Sequence, residues 1–360
     1  MNSDRTKSFR NQWVKILAGG LLMAMLTPVA AVEPTPLMAE LAKLSGPDRM
    51  KRLIEGAKKE GELTIYTSAP TDDMSALTGE FEKKYGIKVK VWRSSSEKVL
   101  QRGITEAQAK RYDVDIFETN GPEVEALHRE QLLQEVVSPA LADLLPQAIR
   151  PHREWIGSRI NIFTAAYNTK LLRKEDLPKN YTDLLDPKWK GKLGIEAEDL
   201  DWFQAMMSLL GGEEKGLKLF RDIVATNGLS VRKGHTLLTN LVASGEVPIA
   251  LTVYNYKAEQ MKNKGASIDW FTIGPVAIAR INGPGVARRA PHPHAAVLFL
   301  EFELTDGQQI FVKRDFAPAS KNIRTPLTKV PLRFIDPAVI LDEEKKWAGL
   351  YSDIITKQSK

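Results

Sequence analysis

The sequence predicts an α/β protein in two lobes, with parallel sheet and helical crossovers. Three observations predict it. Between residues 61 and 125 the order strand, polar turn, helix occurs three times, the pattern of a parallel sheet. Near residue 155 this gives way to long extended stretches that suit chain crossing between lobes. The 360 residues are 43% hydrophobic, enough for roughly two ordinary domains with cores of their own.

Residues 1–31 read as a cleavable leader outside the fold. Arg5, Lys7, Arg10 and Lys15 make a basic region, Ile16 to Leu26 an apolar one, and Val29-Ala30-Ala31 a small-residue cleavage site. The mature chain is expected to begin at Val32. No later run approaches the roughly 20 apolar residues of a membrane-spanning helix. There is no cysteine, which excludes disulfides, a thiol nucleophile and a lipid-bearing N-terminal Cys. These features predict a soluble, monomeric periplasmic protein. The formal charge is +6, of which the leader's four basic and one acidic residues carry +3. Basic pairs such as Lys58-Lys59 and Arg288-Arg289 are dispersed among acids, which excludes a nucleic-acid partner.

Residues 32–60 are an N-terminal segment and a first helix with Met50, Leu53, Ile54 and Ala57 on one face. Leu63–Tyr66 is the first strand, and Thr67 to Asp73 leads into a helix with Met74, Leu77 and Phe81. Ile87–Trp92 is the second strand, followed by the capping turn Ser94-Ser95-Ser96-Glu97. Val114–Phe117 is the third, followed by the turn Glu118 to Pro122. Right-handed crossovers bring these turns to one sheet edge, so Tyr66 to Thr71, Arg93 to Ser96 and Glu118 to Asn120 line one wall of a cleft. Ile160 to Thr169 is a first extended crossover and Ile268 to Ile281 a second. Between them, the strand Leu193–Ile195 ends in Glu196, Glu198, Asp199 and Asp201. Helices near 291–314 and at the C-terminus close the structure.

The stretch Ser244 to Tyr256 is the strongest candidate for function. Ser244-Gly245 ends a helix, Val247–Val253 is a buried strand, and Thr252, Tyr254, Asn255 and Tyr256 stand at its end before another helix. Ligands of open α/β sheets sit at such strand ends, where the next helix offers free amides. Arg93 with its serines suits a carboxylate or phosphate. The acids from Glu196 to Asp201 either complement a helix dipole or attract a cationic solute. His292-Pro293-His294 reads as a surface turn more than a metal clip, and His128, His152 and His235 stand alone in sequence. No phosphate loop, nucleophile elbow or zinc-protease helix occurs, which leaves an exported hydrolase as a remote alternative.

Gly61 to Ser68, Ala166-Tyr167-Asn168-Thr169, Asp186 to Lys192, Ser244 to Pro248, and Ala295 to Gln309 resemble, in order, the signatures of a known family. It is the extracellular solute-binding proteins of bacterial ABC importers, in the branch that contains the ferric-ion-binding proteins. The resemblance runs from about Gly61 to Ser320. It implies a type II periplasmic binding protein fold, two lobes on two crossover hinge strands, with no catalysis. It places one lobe at 61–160 plus 275–325 and the other at 161–274 plus 326–360. Its partners would be a membrane permease and an ATPase, its ligand a small solute. In the iron-binding members adjacent tyrosines supply phenolates to the metal. Here that pair reads Asn255-Tyr256, with Tyr254 one position early. Ala69-Pro70-Thr71 replaces a histidine, and the expected carboxylate falls near Asn120, with Glu118 close by. The resemblance therefore leads to ferric ion or a ferric complex, with a synergistic anion, held by Tyr256 and Glu118. The alternative is an organic solute (phosphonate, carboxylate, polyamine or thiamine-like) without metal. The expected site comprises Tyr256, Tyr254, Asn255, Ser68, Thr71, Arg93, Ser95, Glu118, Asn120 and Glu196.

Overall fold

The structure is a computed structural model that describes residues 35–357; the expected leader and cleavage site lie outside them. Two N-terminal helices, α1 (Pro36–Leu41) and α2 (Gly46–Glu60), precede the first strand. Then β1 (Glu62–Thr67), α3 (Thr71–Tyr85), β2 (Lys88–Arg93), α4 (Ser96–Gln108), β3 (Ile116–Asn120) and α5 (Gly121–Arg129) alternate. Gly61 and Gly86, at φ 77° and 72°, close α2 and α3 in the left-handed conformation and turn the chain into β1 and β2. β1 pairs in parallel with both β2 and β3, as the alternation predicts. The third strand starts later than expected and continues to Asn120, so Glu118 and Thr119 are strand residues rather than turn residues.

β4 (Arg159–Asn168) is the first crossover. It leads to β5 (Leu193–Glu196), α6 (Leu200–Leu209), α7 (Glu213–Asn227), β6 (Ser230–Arg232), α8 (His235–Ser244), β7 (Ile249–Tyr254) and α9 (Asn255–Asn263). The second extended stretch is two strands, not one. β8 (Ile268–Phe271) pairs with β4, and β9 (Ala277–Val286) runs beyond the expected end. Gly274-Pro275 separates them, because proline has no N–H to continue a ladder. α10 (Pro293–Leu304), α11 (Asp306–Lys313), β10 (Ala317–Pro318), β11 (Leu332–Phe334) and α12 (Pro337–Tyr351) follow.

The main path through the sheet is β2-β1-β3-β9-β4-β7-β5-β6. β9 and β4 run antiparallel to each other and to their outer neighbours β3 and β7. They thus join two parallel groups, β2-β1-β3 and β7-β5-β6. Every residue of β4, β7 and β9 is buried. Close approach at this junction is tight: a Cβ on Gly283 would lie 1.9 Å from the Ile156 carbonyl oxygen. α12 packs against both α5 and α6, and so reaches from one parallel group to the other.

Candidate functional site

A cleft of about 1010 Å³ opens at the strand ends, and the N-terminal ends of α3, α4, α5, α6, α8 and α9 all line it. Each turns the positive end of a helix dipole toward it. Carboxylates stand among them: Glu97, Glu123, Glu196, Asp199 and Asp201.

Of the residues expected from sequence, Ser68, Arg93, Ser95, Asn120, Glu196, Tyr254 and Tyr256 line this cleft. Thr71, Glu118 and Asn255 do not. Thr71 is exposed on the first turn of α3, and Asn255 is buried at the start of α9. Glu118 points within the sheet, where one oxygen accepts from Thr67 Oγ1 and the other pairs with Arg159. The physical reason is the longer β3, which places Glu118 inside a ladder rather than in a turn.

The wall from β1, β2 and β3 is made of hydroxyls and amides. Ser68 Oγ lies 2.9 Å from Thr119 Oγ1, and Ser95 Oγ caps α4 by accepting from Lys98 N at 3.4 Å. Asn120 donates to Ser96 Oγ at 2.7 Å and accepts from Asn282 Nδ2 at 2.6 Å. The exposed Arg93 donates through Nε to the Ala69 carbonyl.

The wall from β5 and β7 is ionic and aromatic. Arg280, on β9, forks onto Asp201 through Nε (2.6 Å) and Nη2 (2.5 Å) and donates from Nη1 to Tyr254 Oη at 2.7 Å. Tyr256 stacks on Phe316 at 3.9 Å and lies nearly parallel to Tyr254 at 5.9 Å. Burial pushes both phenols well above their ordinary pKa, against the pull of Arg280 on Tyr254 and of Arg159 on Tyr256. His235 opens α8, lies 3.9 Å from the Tyr254 ring, and pairs through Nε2 with Asp199 Oδ1 at 3.1 Å. Burial alone would lower the imidazole's pKa; Asp199 beside it, and then Glu196, carry it upward. Glu196 accepts from Gly234 N (2.7 Å) and Glu198 N (2.5 Å), and burial followed by the Asp199 charge raises its pKa.

Sequence reasoning missed Arg159, Arg280 and Asn282, which also line the cleft, and took His235 as solitary. One signal was available: Arg159 opens, and Arg280 interrupts, a strand with no other charged residue. His128 and His152 are not solitary either. Their rings stack at 3.6 Å, and neither lines the cleft. His152 Nδ1 accepts from Glu154 N, which leaves Nε2 to donate to Glu125 Oε2 at 3.2 Å. His292 and His294 bind separate carboxylates, Asp115 (3.0 Å) and Glu60 (2.6 Å), so they form no clip.

Two parallel strand groups joined by two antiparallel crossovers, with helix N-termini facing one polar cleft, define a protein built to hold a small solute. Residues 67–310 match the family of bacterial extracellular solute-binding proteins, and the chain belongs to that family. It is the solute-binding, non-catalytic component of an ABC uptake system. Iron uptake protein A1 of Synechocystis sp. is 25% identical over 289 residues, covering 76% of this chain and 78% of that protein. The crystal structure of iron-bound HitA from Pseudomonas aeruginosa superposes with a TM-score of 0.71 at 25% identity, covering 81% of this chain and 99% of that one. AfuA from Actinobacillus pleuropneumoniae, solved with exogenous fructose-6-phosphate bound, superposes at 0.71 with 22% identity, covering 82% and 99%. The fold is the periplasmic binding protein fold of ferric-binding proteins. No helix among the described residues is long and apolar enough to cross a membrane.

Proposed function

We propose that this chain captures ferric iron in the periplasm as a complex with an oxygen-rich anion and delivers it to a membrane permease and ATPase. The observation that carries this reading is the pair of cleft tyrosines, Tyr254 and Tyr256, in a chamber ringed by helix N-termini and by Arg93, Arg159 and Arg280. Phenolic oxygens suit a hard ferric ion, while guanidinium groups and N-termini suit the anion that accompanies it. The volume fits a complex better than a bare ion, since 1010 Å³ exceeds many times the roughly 30 Å³ share of one water. The iron-related names of the Synechocystis and Pseudomonas proteins support the same reading. Residues 1–31 act as the export leader. The lobes at 61–160 plus 275–325 and at 161–274 plus 326–360 close by bending at β4 and β9.

A second reading, an organic anion without metal, is favoured by one observation. Burial raises the pKa of both phenols, which disfavours phenolate, and Tyr254 already accepts from Arg280.

Titration of the mature protein with ferric citrate, ferric ion with carbonate, phosphonates and small carboxylates separates the two. The ferric reading expects a visible phenolate-to-iron band that Tyr256→Phe weakens and that Tyr254→Phe combined with Tyr256→Phe abolishes. The organic reading expects no band, and a cost for Tyr256→Phe of about 0.5–1.5 kcal/mol, roughly threefold to tenfold in affinity. If Tyr256→Phe and Tyr256→Ala both bind the cognate solute like the parent, the site is not at this strand end.

A further inference from the structure

We propose that Glu196, Asp199 and His235 form a preorganised site for a divalent transition-metal ion in one corner of the cleft, distinct from the phenol oxygens. It takes from the reading above only that the cleft is open to solutes.

The three residues come from the end of β5, the turn before α6 and the first position of α8, and their donor atoms lie within 4.8 Å of one another. An ion bound at about 2.0–2.2 Å from each donor would draw them slightly closer. One imidazole nitrogen with two carboxylates is a mixed N/O set that suits divalent first-row ions. The set is already oriented. Two backbone N–H groups hold the Glu196 carboxylate, and Tyr254 and Phe163 flank the His235 ring at 3.9 and 5.9 Å. Such outer partners are what fix ligand direction in metal centres.

Two further observations point to a cation as the ligand. The Asp199 side chain is only 2% exposed, yet its Oδ2 has no hydrogen-bond partner, and neither has His235 Nδ1. Buried polar atoms are ordinarily satisfied, and an orphaned carboxylate oxygen beside a second carboxylate is what a cation would complete. Arg280 Nη2 comes no nearer to Asp199 than 3.7 Å, because Asp201 holds the guanidinium. In the other histidine cluster both His152 ring nitrogens are engaged, Nδ1 by Glu154 N and Nε2 by Glu125, whereas His235 pairs only through Nε2 and keeps Nδ1 without a partner.

The test is Co²⁺ titration of metal-free full-length mature protein, read by the visible d–d bands of the bound ion and by calorimetry. One equivalent is expected, with Asp199→Asn and His235→Gln each weakening it by about tenfold or more. His128→Gln should leave it unchanged. Absence of Co²⁺ bands in the parent overturns the site, as does binding that survives both cleft variants or that is lost in His128→Gln. Should a cleft variant fail to fold, the parent decides by NMR. Co²⁺ must then shift the His235 imidazole resonances and leave those of His128 and His152 in place; the reverse overturns the site. The ferric band is a separate readout, so its failure sinks the ferric reading while Co²⁺ binding here stands, and conversely.

Discussion

The two walls of the cleft are built on different principles. The wall from β1, β2 and β3 presents serines and an asparagine whose hydrogen bonds are uncharged and partly solvated. The opposite wall is buried and ion-paired, with Arg280, Asp201 and Tyr254 locked together before any solute arrives. A solvated wall can exchange water for solute at little cost, whereas a locked one supplies fixed charges in a low dielectric. One face therefore adapts while the other imposes geometry.

The largest effect should come from unlocking the second wall. Asp201→Ala leaves Arg280 buried without its carboxylate and should cost about 3–5 kcal/mol of stability, measured by urea denaturation. A loss under 1 kcal/mol would show that this wall is no more rigid than the first.

The next effect is a pH dependence, and two residues of α5 give it opposite signs. Burial raises the Glu123 carboxyl to about 7, with Asp201 and Glu97 adding to this and Arg280 opposing it. The folded state thus holds a proton that the unfolded chain has released, so this contribution to stability is lost as pH rises from about 4.5 to about 7. Burial acts in the same direction on Glu125, but hydrogen bonds from His152 and Trp155 pull its carboxyl down to about 2. Its contribution is present above about 4.5 and is lost as pH falls toward 2. Glu123→Gln should flatten the melting-temperature profile on the neutral side, and Glu125→Gln should flatten it on the acid side. Identical profiles for parent and Glu123→Gln would mean that the cleft side of α5 is wet.

Smaller effects test the first wall. Asn120→Ala removes hydrogen bonds to Ser96 and Asn282 and should cost about 1 kcal/mol per bond, seen in denaturant unfolding. A loss as large as that of Asp201→Ala would erase the contrast between the walls. Ser95→Ala removes the N-cap of α4 at a long 3.4 Å contact, so its cost should fall near the lower end of the ~0.5–2 kcal/mol range. Helix content by circular dichroism and the unfolding midpoint would report it.

Much was determined by the sequence alone, because its signals are local. Strand, cap and left-handed glycine recur at Gly61 and Gly86, and they set the alternation of β1, α3 and β2 without reference to distant residues. The polar strand ends at Ser68, Ser95 and Tyr254 follow from the same alternation, since parallel units must turn at one edge. The tertiary structure decided the charged half of the site. Arg280 and Asp201 are 79 residues apart, and Arg159 and Glu118 are 41 apart. These pairs exist only because β9 and β4 insert antiparallel between the two parallel groups. Neither periodicity nor capping encodes which strands become neighbours. Whether Glu118 faces the cleft or an arginine, and whether His235 is solitary or paired, was therefore settled by burial and packing, which act between segments that the sequence keeps apart.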